Sequence, residues 1–173
     1  MPAIDQARVQ ALISIGQNAA TTFDKGRALE DLICEVFGLI PGIAITHRNQ
    51  MNQFDTEEID VALFNEDIHS LPNIILVEAK NWSNRVGSIE VAWLLTKLQN
   101  RGLDFGILVT THGITGDAAD LSRAHAQVAA ALVQKRRLIV ITTAEIQALQ
   151  DTDALVKLIK TKLCGLAVTG TVS

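Results

Sequence analysis

The sequence predicts an α/β fold in which a mixed β-sheet is flanked by helices. Apolar residues recur at helical intervals in some segments and form short continuous runs in others, which indicates both kinds of element. From about residue 86 onward, helical and strand patterns alternate, as in parallel crossover connections. A chain of 173 residues with 48% hydrophobic content can bury one substantial core. These observations favour one compact domain and leave no room for a second.

Two helices are predicted in the first 40 residues. Residues 4–16 carry apolar side chains at mostly helical spacing, and Gly16 closes the segment. The second helix begins near Asp24 and ends at Gly38, with an apolar stripe at i, i+3, i+4, i+7 and i+8. Glu30 lies on the flank of that stripe, close enough to the predicted core to be of interest.

Three predicted strands follow. Residues 43–46 form the first, after which a polar stretch at 47–50 leads to a second strand at 58–64. The third strand, at 73–80, is almost continuously apolar, which is typical of a central strand covered on both faces. Polar residues at the end of such a strand therefore need an explanation.

Helices and strands alternate through the remainder of the chain. The predicted elements are a helix at 86–100, a strand at 105–111, a long helix at 115–135 capped by Thr115, a strand at 138–142, and helices at 144–150 and 154–163. We expect residues 1–24 to form an N-terminal helical extension, 25–165 a single domain, and 166–173 a C-terminal tail that frays from about Gly165.

The overall charge limits how the chain can bind a polyanion. The formal net charge is -4 and the pI about 5.5, so nucleic acid cannot be held by global electrostatics. A local patch, a bound metal, an oligomer or a partner protein would have to supply the attraction. No apolar run reaches the roughly 18 residues of a membrane span, and we expect a cytoplasmic protein without membrane association.

Glu78 and Lys80 end the apolar third strand. Because side chains alternate along a strand, both point to one face and Ala79 to the other. Burying an acid and an amine is costly unless each is paired or binds a metal. Asp60, in the second strand, would lie beside Glu78 if the two strands pair as a hairpin.

Two adjacent carboxylates repel each other unless a cation lies between them. Mg²⁺ takes oxygen ligands and binds through one or two carboxylates together with phosphate oxygens. The set Asp60, Glu78 and Lys80 therefore predicts phosphodiester hydrolysis, in which a metal activates water and a lysine stabilises the charged phosphate. The four histidines show no zinc-binding spacing and are interpreted as loop or surface residues.

Four segments, in order, resemble the Mrr-like branch of the restriction-endonuclease-like, or PD-(D/E)xK, nucleases. They are Gly26-Arg27-Ala28-Leu29-Glu30, Glu58-Ile59-Asp60, Glu78-Ala79-Lys80-Asn81-Trp82, and Gly106-Ile107-Leu108-Val109-Thr110-Thr111. The resemblance runs from Gly26 to about Leu149 and implies the αβββαβ core of that superfamily. Many relatives carry Gln where this chain has Glu78, and many have a separate DNA-recognition domain.

The resemblance also implies chemistry. Asp60 and Glu78 would bind Mg²⁺ or Mn²⁺ together with the backbone carbonyl of Ala79. Lys80 would assist the attacking water, and Glu30 would support or extend the metal site. The implied activity is endonucleolytic hydrolysis of DNA, in restriction, phage defence or repair.

Other interpretations stay open at this point. Glu30 fits pairing with Arg27 or Lys25 on its own helix equally well, and Asp60, Glu78 and Lys80 also fit a structural ion-pair network. The sequence is also compatible with a non-catalytic binding or assembly subunit, and with a nuclease acting on RNA or on branched structures. The alanine-rich helix at 115–135 fits a homodimer face or internal packing equally well.

Among other conspicuous residues, Trp82 is favoured as a packing residue over a base-stacking one, and Trp93 is assigned to the core. Cations near the site are better explained as solvated surface residues than as phosphate contacts. They are Arg85, Lys97 and Arg101.

Overall fold

The computed structural model describes residues 2–53, 56–68, 70–80, 83–116 and 123–171. Several residues discussed above lie outside them: His69, Asn81, Trp82 and the segment 117–122. The helices are α1 (Gln6–Asn18), α2 (Thr22–Gly38), α3 (Ser88–Asn100), α4 (Ala124–Val133), α5 (Thr143–Ala148) and α6 (Thr152–Thr169). The strands are β1 (Ile43–Met51), β2 (Glu58–Asn65), β3 (Ile74–Lys80), β4 (Phe105–Thr110) and β5 (Arg137–Thr142).

The five strands form one mixed sheet in the order β1-β2-β3-β4-β5. β2 is antiparallel to both of its neighbours, β1 and β3, whereas β3, β4 and β5 are parallel. Helices flank this sheet, which confirms the predicted α/β class. β3 is the strand at which the sheet changes from antiparallel to parallel pairing.

One apolar core joins the sheet to the helices. All six residues of β4 are buried, as expected for a strand covered on both faces. α2 packs against β1, β2 and β3, α3 packs against β4 and α4, and α6 packs against β5. The predicted N-terminal extension is part of this core, because α1 packs on α2 and buries Val9 and Leu12.

β1 is longer than its sequence predicts, because the polar stretch at 47–50 continues the strand as far as Met51. A register shift between Ile45 and His47 accommodates a bulge, and pairing with β2 resumes beyond it. The polar residues remain in the strand because β1 is an edge strand and two of them bind side chains of α2. Sequence patterning could not show that tertiary contact.

Two helix boundaries also differ from those predicted. Thr115 does not cap a helix: its N–H donates to the carbonyl of Val86, and Gly116 has a φ of 101° that L-residues rarely adopt. The described part of α4 begins at Ala124. At the other end, α6 passes through Gly165 to Thr169, where Gly170 ends it with a left-handed φ of 71°.

The C-terminal tail is therefore shorter than predicted, because burial of Leu166 against the core holds the last turns of α6 in place. Across the described ranges, none of the helices combines the length and apolar character that crossing a bilayer requires.

Candidate active site

β2 and β3 part at the end of the sheet that carries the predicted site. Their mutual pairing runs from Phe64–Ile74 to Val61–Val77 and ends there among the described residues. β2 nevertheless stays paired with β1, and β3 stays paired with β4 as far as Lys80. The next positions in register on the two separating strands are Asp60 and Glu78, so they line an opening that we call the fork.

Asp60 bridges this fork. Its Oδ2 accepts a hydrogen bond of 2.7 Å from the backbone N–H of Ala79. The carboxylate thus accepts from a strand N–H at a position where the β2–β3 pairing has ended. Because the N–H and C=O of one strand residue point to the same side, the carbonyl of Ala79 also faces the fork.

The surroundings of Asp60 oppose its ionisation. Burial, reinforced by the negative charge of Glu78, raises the pKa of Asp60 from 3.8 to about 6. The hydrogen bond from Ala79 and the charges of two lysines act in the opposite direction without cancelling the effect. Such a carboxylate is one that a nearby cation would stabilise.

Glu78 is buried and is bound by two lysines. Oε1 lies 2.8 Å from Nζ of Lys80, and Oε2 lies 2.7 Å from Nζ of Lys97, which also donates to Oε1 at 3.0 Å. Burial alone would lower the pKa of Lys80, but the charge of Glu78 and its hydrogen bond outweigh this and keep that pKa above the ordinary value. Lys80 is therefore a permanent cation at the fork.

Glu57, which directly precedes β2, connects this strand to the C-terminal end of α3. Glu57 accepts from Asn100 at 2.8 Å and is paired with Arg101. The hydrogen bond from Arg101 lowers the pKa of Glu57, so this carboxylate stays ionised. The side chains of Lys97 in α3 and of Arg101 at its C-cap are thus ion-paired and only 14% and 19% exposed, so their interpretation as solvated surface residues is wrong.

Gly106 allows α3 to lie close to the sheet. A Cβ at this position of β4 would stand 3.0 Å from Cδ1 of Leu98, a fully buried residue of α3. Leu98 follows Lys97 directly, and Gly106 pairs in register with Leu76 of β3. The close approach therefore brings the Lys97 side chain within reach of Glu78.

Glu30 is buried but belongs to a neighbouring cluster. Its Oε2 accepts from Asn49 at 2.9 Å, from Arg48 Nε at 3.2 Å and from Arg27 Nη1 at 3.3 Å. Arg48 also lies 2.6 Å from Asp31, so this cluster attaches β1 to α2. The suggested pairing with Arg27 is confirmed.

The Glu30 cluster adjoins the fork through one residue. Asn49 has a positive φ of 49° and lies between the Arg48–Val61 and Gln50–Ile59 pairs, opposite Asp60. No contact between Glu30 and Asp60 is recorded among the described residues. The structure thus brings together Asp60, Glu78, Ala79 and Lys80. Glu30, on α2, binds side chains of the neighbouring strand β1 instead.

The residues at the fork fit a hard divalent cation. Within the described ranges, no three His, Cys, Asp or Glu side chains converge as a protein-only cage would require. Two carboxylates and a carbonyl are instead the set expected for an ion that keeps waters and accepts phosphate oxygens. Burial is the larger cause of the raised pKa of Asp60 and the charge of Glu78 is the second, and a cation bound beside both acids would favour the ionised form.

Two other sequence interpretations are wrong. Trp93 is 60% exposed on α3, not a core residue, and His125 is buried in α4, not on the surface. Helical spacing fixes which residues share a face, but it does not show whether a neighbouring element covers that face.

Comparison with known proteins decides the family. A sequence profile described as restriction endonuclease, the Mrr catalytic domain, matches residues 25–149, which is well over half of the chain. The chain belongs to the Mrr-type restriction endonuclease family. The matched segment contains every residue of the fork, so the fork lies in the nuclease domain of the family.

A solved structure shares the fold of this nuclease domain. It is the DNA modification-dependent restriction endonuclease AspBHI, with a TM-score of 0.50 and 18% identity over 90% of this chain. The chain spans 39% of that protein's length. No curated protein sequence shows significant similarity to the chain. The family thus supports a nuclease, and the solved structure supports the fold.

Proposed function

We propose that this domain is a Mg²⁺- or Mn²⁺-dependent endonuclease that hydrolyses DNA phosphodiester bonds. The observation that carries the proposal is the fork, where Asp60, Glu78, the Ala79 carbonyl and Lys80 meet at the end of a buried strand. Family membership supplies the reaction class. A role in restriction, phage defence or repair is consistent with the family.

In this proposal, Asp60, Glu78 and the carbonyl of Ala79 hold the cation. When bound, the cation would act as a Lewis acid and offset negative charge that develops on the phosphate. A bound cation would favour the ionised form of Asp60, which burial and the charge of Glu78 both oppose. Glu78 must exchange at least one of its ammonium contacts for the cation.

Lys80 would orient the attacking water and stabilise the charged phosphate. It is suited to this because it is charged and held 2.8 Å from Glu78, on the same face of β3. Glu30 would act indirectly, as a positioning residue that fixes Asn49 and Arg48 of β1 beside the strand carrying Asp60.

Target selection would depend on another part or partner. The net charge of -4 does not favour binding a polyanion, and AspBHI is much longer than this chain. A homodimer would provide two such sites for cutting a duplex, and a recognition protein would provide the sequence contacts.

The proposal is tested by cleavage of duplex, single-stranded and branched DNA and of RNA, with Mg²⁺, with Mn²⁺ and with chelator. Lys80→Ala should reduce cleavage by about a hundredfold or more. It should still fold, because Glu78 keeps its contacts with Lys97. Lys160→Ala, on the exposed face of α6, is the control of equal charge.

Each outcome discriminates between candidate functions. Cation-dependent cutting of DNA that is lost in Lys80→Ala supports the proposal. Cutting confined to RNA or to branched DNA redirects the substrate assignment. Full cleavage by a stably folded Lys80→Ala protein contradicts the mechanism, and absence of cutting with any cation favours a binding subunit.

A further inference from the structure

Lys97 is a second lysine at the fork, delivered by the crossover helix α3. Its side chain is 14% exposed and donates to both carboxylate oxygens of Glu78. Lys80 lies 2.8 Å from Oε1 of the same carboxylate. Lys97 is a lysine whose hydrogen bonds span both oxygens of the proposed ligand.

This geometry creates a competition. A cation that binds Glu78 through either oxygen meets the ammonium of Lys97, because that group contacts both. Lys80 lies on the same strand as Glu78, two residues away, whereas Lys97 extends to the site from a separate element, α3. Lys97 is thus the ammonium that must move when Glu78 takes a divalent ion.

The displaced ammonium needs another anion, since a partly buried charge is costly without a partner. Glu57, another acid that interacts with Lys97, is already bound by Arg101 and Asn100. Asp60 would be engaged by the cation and by Ala79. Because the described acids that interact with Lys97 are then all engaged, a phosphate oxygen of the substrate is the anion that we assign to it.

We propose that Lys97 occupies the place of the divalent cation on Glu78 in the free protein and, once displaced, binds a phosphate of the substrate. The inference rests on the proposed function, because it takes the fork to be the cation and phosphate site. It makes Lys97 a positioning residue towards Glu78 before the cation arrives and a substrate contact afterwards.

The test uses Lys97→Met, which removes the ammonium and keeps an unbranched stem. Glu78 retains Lys80 in this variant, so its carboxylate is not left without a cation. Mn²⁺ binding to the DNA-free protein is measured by the loss of free-ion EPR signal. Removing a competing positive charge should tighten Mn²⁺ binding by about tenfold.

The second measurement is binding of a fluorescent DNA duplex with Ca²⁺ in place of Mg²⁺ to keep the DNA uncut, so that Lys80 is retained beside Glu78 in every variant. Lys97→Met should weaken binding and reduce the slope of log affinity against log salt by about one. Lys97→Arg should restore DNA binding. Lys160→Met, a remote and exposed lysine, should change neither measurement.

The two shifts have opposite signs, which a merely structural role would not produce, since misfolding weakens both kinds of binding. If Lys97→Met does not fold, Lys97→Gln provides the same test with a polar side chain. Unchanged or weaker Mn²⁺ binding, or DNA binding that is not weakened, overturns the proposal.

Failure of the proposed function is a separate result. A wild-type protein that cuts no nucleic acid with any cation contradicts the nuclease assignment. The Mn²⁺ titration does not depend on cleavage and still decides whether Lys97 competes for Glu78.

Discussion

Asp60 accepts a hydrogen bond from the backbone N–H of Ala79 at 2.7 Å, across strands that have ceased to pair with each other. One carboxylate thus satisfies a backbone donor that strand separation would leave without a partner. The same carboxylate is the acid that burial and Glu78 make reluctant to ionise. Folding without a cation therefore favours the protonated form of Asp60, whereas the proposed cation binding requires the ionised form.

The first prediction follows from the pKa of Asp60. Because the folded value of about 6 exceeds the ordinary value of 3.8, folding favours the protonated acid. The resulting stabilisation is fully present below the unfolded pKa and is lost as pH rises through about 6. Since a pKa difference of one corresponds to about 1.4 kcal/mol, the full stabilisation from the protonated acid is about 3 kcal/mol.

Asp60→Asn should remove this pH dependence and make the cation-free protein more stable at neutral pH. The measurement is urea unfolding in chelator between pH 4 and pH 8, taken as the difference between wild type and variant. Glu66→Gln, an exposed acid beyond the other end of β2, serves as the control. A difference that does not vary between pH 5 and pH 7 would contradict the prediction.

The second prediction concerns the energy of the Glu78–Lys97 pair. Glu78→Gln leaves two largely buried ammonium groups around a neutral amide and should cost about 3 kcal/mol. In the double variant with Lys97→Met, part of that cost should disappear, giving a coupling energy of about 1 to 3 kcal/mol. Denaturant unfolding of the four proteins measures it, and strict additivity would show that the pair is not coupled.

The third prediction separates Glu30 from the cation site. Glu30→Gln weakens the contacts that hold Arg48 and Asn49 to α2, and should reduce stability by about 1 to 3 kcal/mol. Cleavage should fall as β1 loosens, while Mn²⁺ affinity should stay within about twofold, because no fork residue contacts Glu30 among those described. A large drop in Mn²⁺ affinity would instead make Glu30 part of the cation site.

The fourth prediction tests how closely α3 packs on the sheet at Gly106. Gly106→Ala places a methyl group against buried Leu98 and should destabilise the protein by about 1 to 3 kcal/mol. It should also shift Mn²⁺ affinity in the same direction as Lys97→Met, since α3 carries Lys97. Gly165→Ala in α6 has no atom within 4 Å of the added carbon and should stabilise by up to about 1 kcal/mol. Equal effects of the two changes would argue against close packing at Gly106.

Sequence patterning was sufficient for the parts of the site that depend on one strand. Alternation along β3 predicts that Glu78 and Lys80 share a face, and their 2.8 Å contact confirms it. A hairpin between β2 and β3 likewise predicts Asp60 beside them. The parallel crossover between β3 and β4 also follows from the alternation of strand and helix patterns.

Contacts made between separate elements could not be read in this way. Lys97 lies on a helix whose spacing shows which residues share a face, but not that this face meets a buried acid. Arg48 and Asn49 form a polar stretch that is typical of a loop, and Glu30 on α2 is what keeps them in a strand. In each case the deciding partner is distant in sequence.

The change from antiparallel to parallel pairing at β3 has a consequence for folding order. β1, β2 and β3 are consecutive strands, whereas β4 joins β3 only after the chain has passed through α3. Contacts that span longer loops cost more chain entropy and form more slowly. We therefore expect Asp60, Glu78 and Lys80 to assemble before α3 docks. During that interval Glu78 lacks the ammonium of Lys97. A divalent ion present during refolding would therefore meet less competition for this carboxylate than an ion added to the folded protein.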